Sequence, residues 1–115
     1  MIKPVDTIDI LVTSTSGRCL EEVYRREIED PIKNLQVRWT PYKSVFEREE
    51  PHYTKRFRIY YKTTYRHQLD SVRGLRMKYF VTDSYWIRKY LIDRGMTEIV
   101  KLATITNLIK GGLSI

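Results

Sequence analysis

Residues 55–63 read KRFRIYYKT, an alternation of polar and apolar side chains that predicts a β-strand with two unlike faces. Three apolar or aromatic side chains would point into a core: Phe57, Ile59 and Tyr61. The opposite face would carry three cations and one aromatic ring: Arg56, Arg58, Tyr60 and Lys62. This strand therefore contributes both to the fold and to a candidate binding surface.

The positive charge of the chain is concentrated around this strand. Residues 52–90 contain ten lysines and arginines but only two acids, so this segment carries a net charge of +8, while the whole chain of 115 residues carries +7. The same segment holds seven of the nine tyrosines. Cations neutralise phosphates and aromatic rings stack on bases, so the composition favours nucleic acid or an acidic protein surface as the partner.

The N-terminal third predicts one strand followed by one helix. Residues 7–13, TIDILVT, are rich in β-branched and apolar side chains, which is typical of a buried strand. Apolar side chains then recur at helical spacing over residues 18–29 and predict a helix. Asp30-Pro31 ends this helix, because a residue that precedes proline avoids the α conformation.

The segment before residue 55 predicts two further strands and a loop. Residues 35–39 alternate as in a half-buried strand, and residues 42–46 predict an edge strand beyond the break at Pro41. The acidic cluster in residues 47–51 predicts a charged, mobile loop.

The C-terminal part predicts one strand and two helices. Residues 75–81, LRMKYFV, alternate as a strand should, while residues 65–73 remain open between a helical turn and a loop. Residues 85–94 predict a helix that Asp83 or Ser84 caps and Gly95 ends. Its buried face would hold Trp86, Ile87, Tyr90 and Leu91. A last helix is predicted over residues 98–109.

This order of elements predicts one α/β domain over residues 1–115. The sheet would be mainly parallel or mixed, with about four to five strands and flanking helices in a P-loop-like order. It would be mixed if residues 41–63 form a hairpin.

Several classes of protein do not fit the sequence. A single cysteine, Cys19, permits no internal disulfide and no cysteine-based zinc site. His52 and His67 have no nearby acid at ligand spacing, so we expect neither a metal site nor a cofactor. The N-terminus has no long apolar segment, and no run reaches the roughly 20 apolar residues that span a bilayer. We expect a protein of the cytoplasm that does not enter membranes.

Residues 70–87, DSVRGLRMKYFVTDSYWI, resemble a segment of phage DNA-packaging ATPases (the terminase large subunit) and of helicase-like P-loop ATPases. In those enzymes an Arg-Gly pair precedes an apolar strand that ends in the acidic Walker B residue. Arg73, Gly74 and Asp83 occupy the matching positions. The resemblance implies that Asp83 would face a magnesium ion bound to a nucleotide.

Two departures from that family argue against hydrolysis. Ser84 follows Asp83, where a catalytic glutamate is usual. A Walker A loop reads G-x-x-x-x-G-K-[ST], whereas residues 12–19 read VTSTSGRC. Gly17 matches the second glycine, but Arg18 replaces the lysine and Cys19 replaces the hydroxyl residue. Gly17 and Arg18 could still form a turn that binds phosphate through backbone N–H groups. Without the chemistry, Asp83 would simply cap the helix that follows it.

The favoured interpretation is a non-catalytic binding protein encoded by a phage or virus, located in the host cytoplasm or the virion. It would contact nucleic-acid backbone or an acidic protein surface. The candidate binding residues are Arg56, Arg58, Tyr60, Lys62, Arg73, Arg76 and Lys78. If helices cover both faces of the sheet, the exposed cations would instead lie at strand ends and in the connector: Lys55, Arg66, Arg73 and Arg76.

Two alternatives remain at this point. A structural or interaction protein, such as a virion component or an inhibitor of a host factor, would expose an apolar patch from Trp39, Tyr42, Phe46 or the last helix. A small P-loop-type NTPase would use Asp83 to hold magnesium.

Overall fold

A computed structural model describes residues 5–15, 20–32, 37–40, 43–49, 54–73, 75–96, 98–100 and 102–113. The chain forms an α/β fold around one mixed sheet of six strands. The strands are β1 (Val5–Ser14), β2 (Val37–Thr40), β3 (Lys43–Glu49), β4 (Thr54–Thr63), β5 (Tyr79–Val81) and β6 (Ile99–Val100). The helices are α1 (Leu20–Glu29), α2 (Leu69–Arg73), α3 (Tyr85–Asp93) and α4 (Leu102–Leu113).

Strand β1 lies in the middle of the sheet, whose strand order is β2-β3-β4-β1-β5-β6. It runs parallel to β4 on one side and to β5 on the other, and β6 continues the parallel half. Strands β2 and β3 add antiparallel pairs at the other end. The α/β class and the mixed sheet are thus confirmed. The apolar run in β1 is explained by burial from both sides, since Ile10, Leu11 and Val12 are almost wholly inaccessible.

The first face of the sheet is covered by α1 and α4. The predicted inward side chains of β4, which are Phe57, Ile59 and Tyr61, lie in this core. They pack with residues from both helices, among them Ile28 and Ile105. The alternation of residues 55–63 therefore assigned this face of β4 correctly.

Among the described residues, helices cover the second face over its β1–β5 half. There Leu11 and Phe80 pack against Val72 of α2 and against Ile87 and Leu91 of α3. Among the described residues this cluster receives nothing from β2 or β3. The outer half of this face carries charged, partly exposed side chains from β3 and β4, with the buried Val45 of β3 among them.

The predicted loop over residues 47–51 is wrong in its first half. Residues 47–49 continue β3 and pair with residues 54–56 of β4. At the start of this extension Glu47 lies opposite Arg56, and such a pair of opposite charges stabilises the strand pairing. Residues 50–53 lie outside the described part of the chain.

The strand predicted over residues 75–81 is shorter in the structure. Only Tyr79–Val81 pairs in the sheet, next to β1 and β6. Residues 75–78 lead up to it and still alternate, with Leu75 and Met77 half-buried and Arg76 and Lys78 exposed. The segment that remained open before it forms a 3-10 helix, Arg66–Gln68, and then α2.

The last predicted helix, over residues 98–109, begins later than expected. Ile99 and Val100 pair in parallel with Phe80 and Val81, which adds a sixth strand to the four or five expected. Two β-branched residues suffice for this short edge strand, and α4 follows from residue 102. Among the described helices none has the length and hydropathy of a membrane span.

Candidate functional site

Arg56 and Arg58, two of the predicted binding residues, form ion pairs on the second sheet face. The Arg58 guanidinium donates two hydrogen bonds to Asp9 on β1, at 2.6 and 2.9 Å. Arg56 Nε donates to Glu47 Oε1 at 2.5 Å. Each acid lies directly across the sheet from its arginine, and the hydrogen bonds from Arg58 to Asp9 raise the pKa of Arg58 further. Glu47 and Asp9 therefore neutralise part of the positive charge of these two arginines.

Tyr60 and Lys62, on the same face of β4, line a cleft. The cleft has a volume of about 490 Å³ and an apolar floor and wall formed by Leu11, Leu75 and Met77. Lys62 is exposed at this site, and its Nζ lies 3.4 Å from Ser71 Oγ of α2. The Lys43 ammonium lies 5.7 Å from the centre of the Tyr60 ring. The cleft thus combines an aromatic ring with Lys62 in its lining and Lys43 close to that ring.

Further cations lie on the segment that walls the cleft. Arg76 and Lys78 alternate with the cleft residues Leu75 and Met77 and point outward, where both are exposed. In the part of the chain that the structure describes, no carboxylate forms an ion pair with Lys62, Arg76 or Lys78. The remaining candidate is Arg73 in α2, whose side chain lies outside the described residues.

A second surface with aromatic rings lies where the parallel strands end. We define the aromatic patch as Tyr65, Arg66, His67, Tyr85 and Trp86. The Arg66 guanidinium covers one face of the Trp86 ring at 3.8 Å from its centre. Tyr85 meets Trp86 edge to face with ring centres 5.4 Å apart, and Tyr65 stacks parallel to His67 at 5.9 Å. Tyr65, Tyr85 and Trp86 are 43%, 65% and 44% exposed, so large parts of these rings contact solvent.

Trp86 was expected in the core, and that prediction is wrong. The buried stripe of α3 is narrower than the predicted face, since it consists of Ile87 and Leu91 with Tyr90 half-buried beside them. Trp86 lies about 100° around the helix from Ile87 and turns toward Arg66 instead. The sequence carried no signal for this contact, because the two residues are 20 positions apart in different elements.

Hydroxyl groups join the carboxyl ends of the three central strands. Thr13 and Thr64 hydrogen-bond at 2.6 Å between β1 and the end of β4, and Thr15 reaches Ser84 at 3.1 Å. These hydroxyls satisfy one another. The predicted phosphate turn, Gly17 and Arg18, lies outside the described residues.

Asp83 follows the end of β5, at the edge where the resemblance to packaging ATPases puts a magnesium ligand. It is exposed and is not the helix cap, because the Ser84 hydroxyl accepts the N–H of Ile87 and so caps α3. Among the described residues, no three His, Cys, Asp or Glu side chains are grouped to hold a metal ion. The role of Asp83 in an NTPase stays a prediction.

A buried acid lies on the first sheet face. Glu29, the last residue of α1, accepts hydrogen bonds from the Ser44 hydroxyl and from the Tyr61 hydroxyl, the latter at 3.0 Å. Burial raises the pKa of Glu29 above its usual value, although both hydrogen bonds oppose the shift. Burial and the nearby Glu29 also raise the pKa of Tyr61, which keeps its phenol a donor. This group ties α1 to β3 and β4.

Comparisons with protein-family models, with curated proteins and with solved structures found no match to this chain.

Proposed function

We propose that this protein is a non-catalytic binding protein that contacts the phosphate backbone of nucleic acid through the cleft beside Tyr60. One observation carries the proposal. Arg56 and Arg58 are held by acids, whereas Lys62 lines an aromatic cleft and Arg76 and Lys78 are exposed on the segment that walls it. The exposed group, Lys62, Arg76 and Lys78, has its charge available to a ligand.

The chemistry of this cleft suits a nucleotide strand. Exposed ammonium and guanidinium groups bind phosphate oxygens and release counterions. The apolar floor at Leu11 and Met77 and the Tyr60 ring suit a base or sugar that has left water. A phage or viral setting, in the host cytoplasm or the virion, is supported by the resemblance of residues 70–87 alone.

Charge reversal at the cleft tests the proposal. We expect Lys62→Glu combined with Arg76→Glu to lower affinity for a labelled oligonucleotide at low salt by about tenfold or more. The slope of log affinity against log salt should become shallower by about 1.5, since two phosphate contacts are lost. Fluorescence anisotropy across a salt series measures both quantities.

The matched control applies the same charge change on the other side of the molecule. Arg26 of α1 and Lys110 of α4 are exposed, and their helices cover the first face of the sheet. Arg26→Glu combined with Lys110→Glu should leave most of the affinity in place. Equal losses for the two double variants would show that only net charge matters and would contradict a site at the cleft.

Arg56 and Arg58 are unsuitable for this test. Reversing either residue would leave Glu47 or Asp9 facing a new acid within the sheet, so a loss of binding could follow from loss of structure.

An acidic protein surface is the competing partner. Polyglutamate, used as a competitor, separates the two. If polyglutamate displaces the oligonucleotide at equal charge concentration, the cleft recognises negative charge in general, and the proposal of a nucleic-acid partner is wrong.

A further inference from the structure

We infer that the aromatic patch makes this protein selective for single-stranded over double-stranded nucleic acid. The inference rests on the proposed function and names the class of nucleic acid. Its basis is the contact between Arg66 and Trp86, together with the open rings of Tyr85 and Tyr65.

Exposure of these rings has no explanation in the packing of the fold. The large hydrophobic side chains that are exposed in the described residues are Tyr65, Tyr85, Trp86 and Ile92. All three aromatic members lie at the edge where β4 and β5 end, on two separate segments. The clustered rings leave apolar surface in contact with water. A ligand that stacks on the rings would bury this surface.

The charges around the rings point to an anionic partner. Within residues 64–70 and 82–94 there are four cations, Arg66, Arg88, Lys89 and Arg94, and three acids, Asp70, Asp83 and Asp93. The guanidinium carbon of Arg66 lies 3.8 Å from the centre of the Trp86 ring, and a guanidinium held over a ring can still donate N–H groups to phosphate. Lys89 pairs with Asp93 at 3.5 Å, whereas Arg88 is exposed without an acid partner among the described residues.

Stacking requires bases whose faces are accessible. In a duplex each base is stacked between its neighbours, so its faces are covered. The exposed rings of the protein make no stacking contact there and meet only the backbone. An unpaired strand can place successive bases on Tyr85, Trp86 and Tyr65, and each stacked base adds affinity with little regard to sequence.

The patch and the cleft lie on a common path. The cleft residue Lys62 contacts Ser71 of α2, and the 3-10 helix that begins at Arg66 leads directly into α2. A strand whose phosphates follow Lys62 could therefore reach the aromatic patch along one side of this helical connector.

Binding of an oligothymidine of about 15 nucleotides, compared with a duplex of the same length, tests the inference. We expect tighter binding of the single strand at equal salt. Trp86→Ala and Tyr85→Ala should each weaken binding of the single strand by about tenfold and leave binding of the duplex nearly unchanged. An oligouridine of the same length tells DNA from RNA, and binding of either strand through Trp86 supports the inference.

Ile92→Ala is the matched control, because Ile92 is 50% exposed on the same helix and has no ring. It should leave both affinities unchanged. A second readout uses Trp39→Phe, which makes Trp86 the sole tryptophan, and its fluorescence should be quenched by the single strand.

Three outcomes are decisive. Preference for the single strand that depends on Trp86 and Tyr85 supports the inference. Equal binding of both forms, or equal losses for both in Trp86→Ala, overturns the selectivity while the proposed function stands. Absence of binding to either form overturns both.

Discussion

Glu29 shows how one residue can link stability to pH. Its carboxyl is buried between α1, β3 and β4, where Ser44 and Tyr61 donate to the same oxygen. Burial favours the neutral form and raises the pKa of Glu29 in the folded state above the unfolded value of 4.5. Below pH 4.5 the group is neutral in both states, so its contribution to stability is fully present there.

The free energy of unfolding should therefore fall as pH rises from 4.5 toward the higher folded pKa of Glu29. Over that interval the unfolded chain loses its proton while the folded chain retains it. Glu29→Gln keeps the acceptor oxygen and removes the titration, so its stability should vary less with pH between about 4 and about 7. Urea unfolding at several pH values measures the difference.

Glu22→Gln is the control, since Glu22 is exposed on the same helix. It should keep the pH dependence of the unchanged protein. The explanation fails if Glu29→Gln follows the same curve as Glu22→Gln.

Helix α3 shows which features of an element can be predicted locally. Its N-cap and its end were visible in the sequence, because a hydroxyl residue precedes it and a glycine follows it. Ser84 caps the first turn, and Gly95 has φ of +79° and donates its N–H to the Ile92 carbonyl at 2.9 Å. The width of its buried stripe depended on neighbours in space, and here the prediction for Trp86 failed.

Two glycine substitutions should act in opposite directions. Gly95→Ala should lower the free energy of unfolding by about 1 kcal/mol, because alanine is strained at positive φ although nothing lies within 4 Å of the new Cβ. Gly111→Ala, within α4 and also in open space, should raise it by about 0.5–1 kcal/mol through helix propensity.

Thermal or urea unfolding of both variants checks this pair. If both substitutions lower the free energy of unfolding, the prediction for Gly111→Ala is wrong, and the added methyl group must clash with a neighbouring group.

On the scale of the whole molecule, the proposed sites exist only in the folded chain. The cleft joins β1, β4 and the segment before β5, and the aromatic patch joins the end of β4 to α3. The unfolded chain keeps the same net charge of +7 but loses the arrangement of rings and cations.

A single-stranded oligonucleotide should therefore raise the midpoint of thermal unfolding. At 100 times the dissociation constant, a ligand specific for the folded state adds about 2.7 kcal/mol, which corresponds to a shift of several degrees for a chain of this size. Lys62→Glu with Arg76→Glu should shift less at the same concentration. An unchanged midpoint at saturation would mean that the unfolded chain binds as well.

The sequence by itself determined the α/β class, the two faces of β4 and the concentration of charge, because alternation, helical spacing and local composition act over a few residues. The tertiary structure alone decided which cations remain available. The register of the strands put Asp9 beside Arg58 and Glu47 beside Arg56. The approach of α3 to the 3-10 helix put Arg66 on Trp86. These contacts join residues 9 to 49 positions apart, which no local pattern encodes. The physical reason is that pairing and packing select partners by position in space.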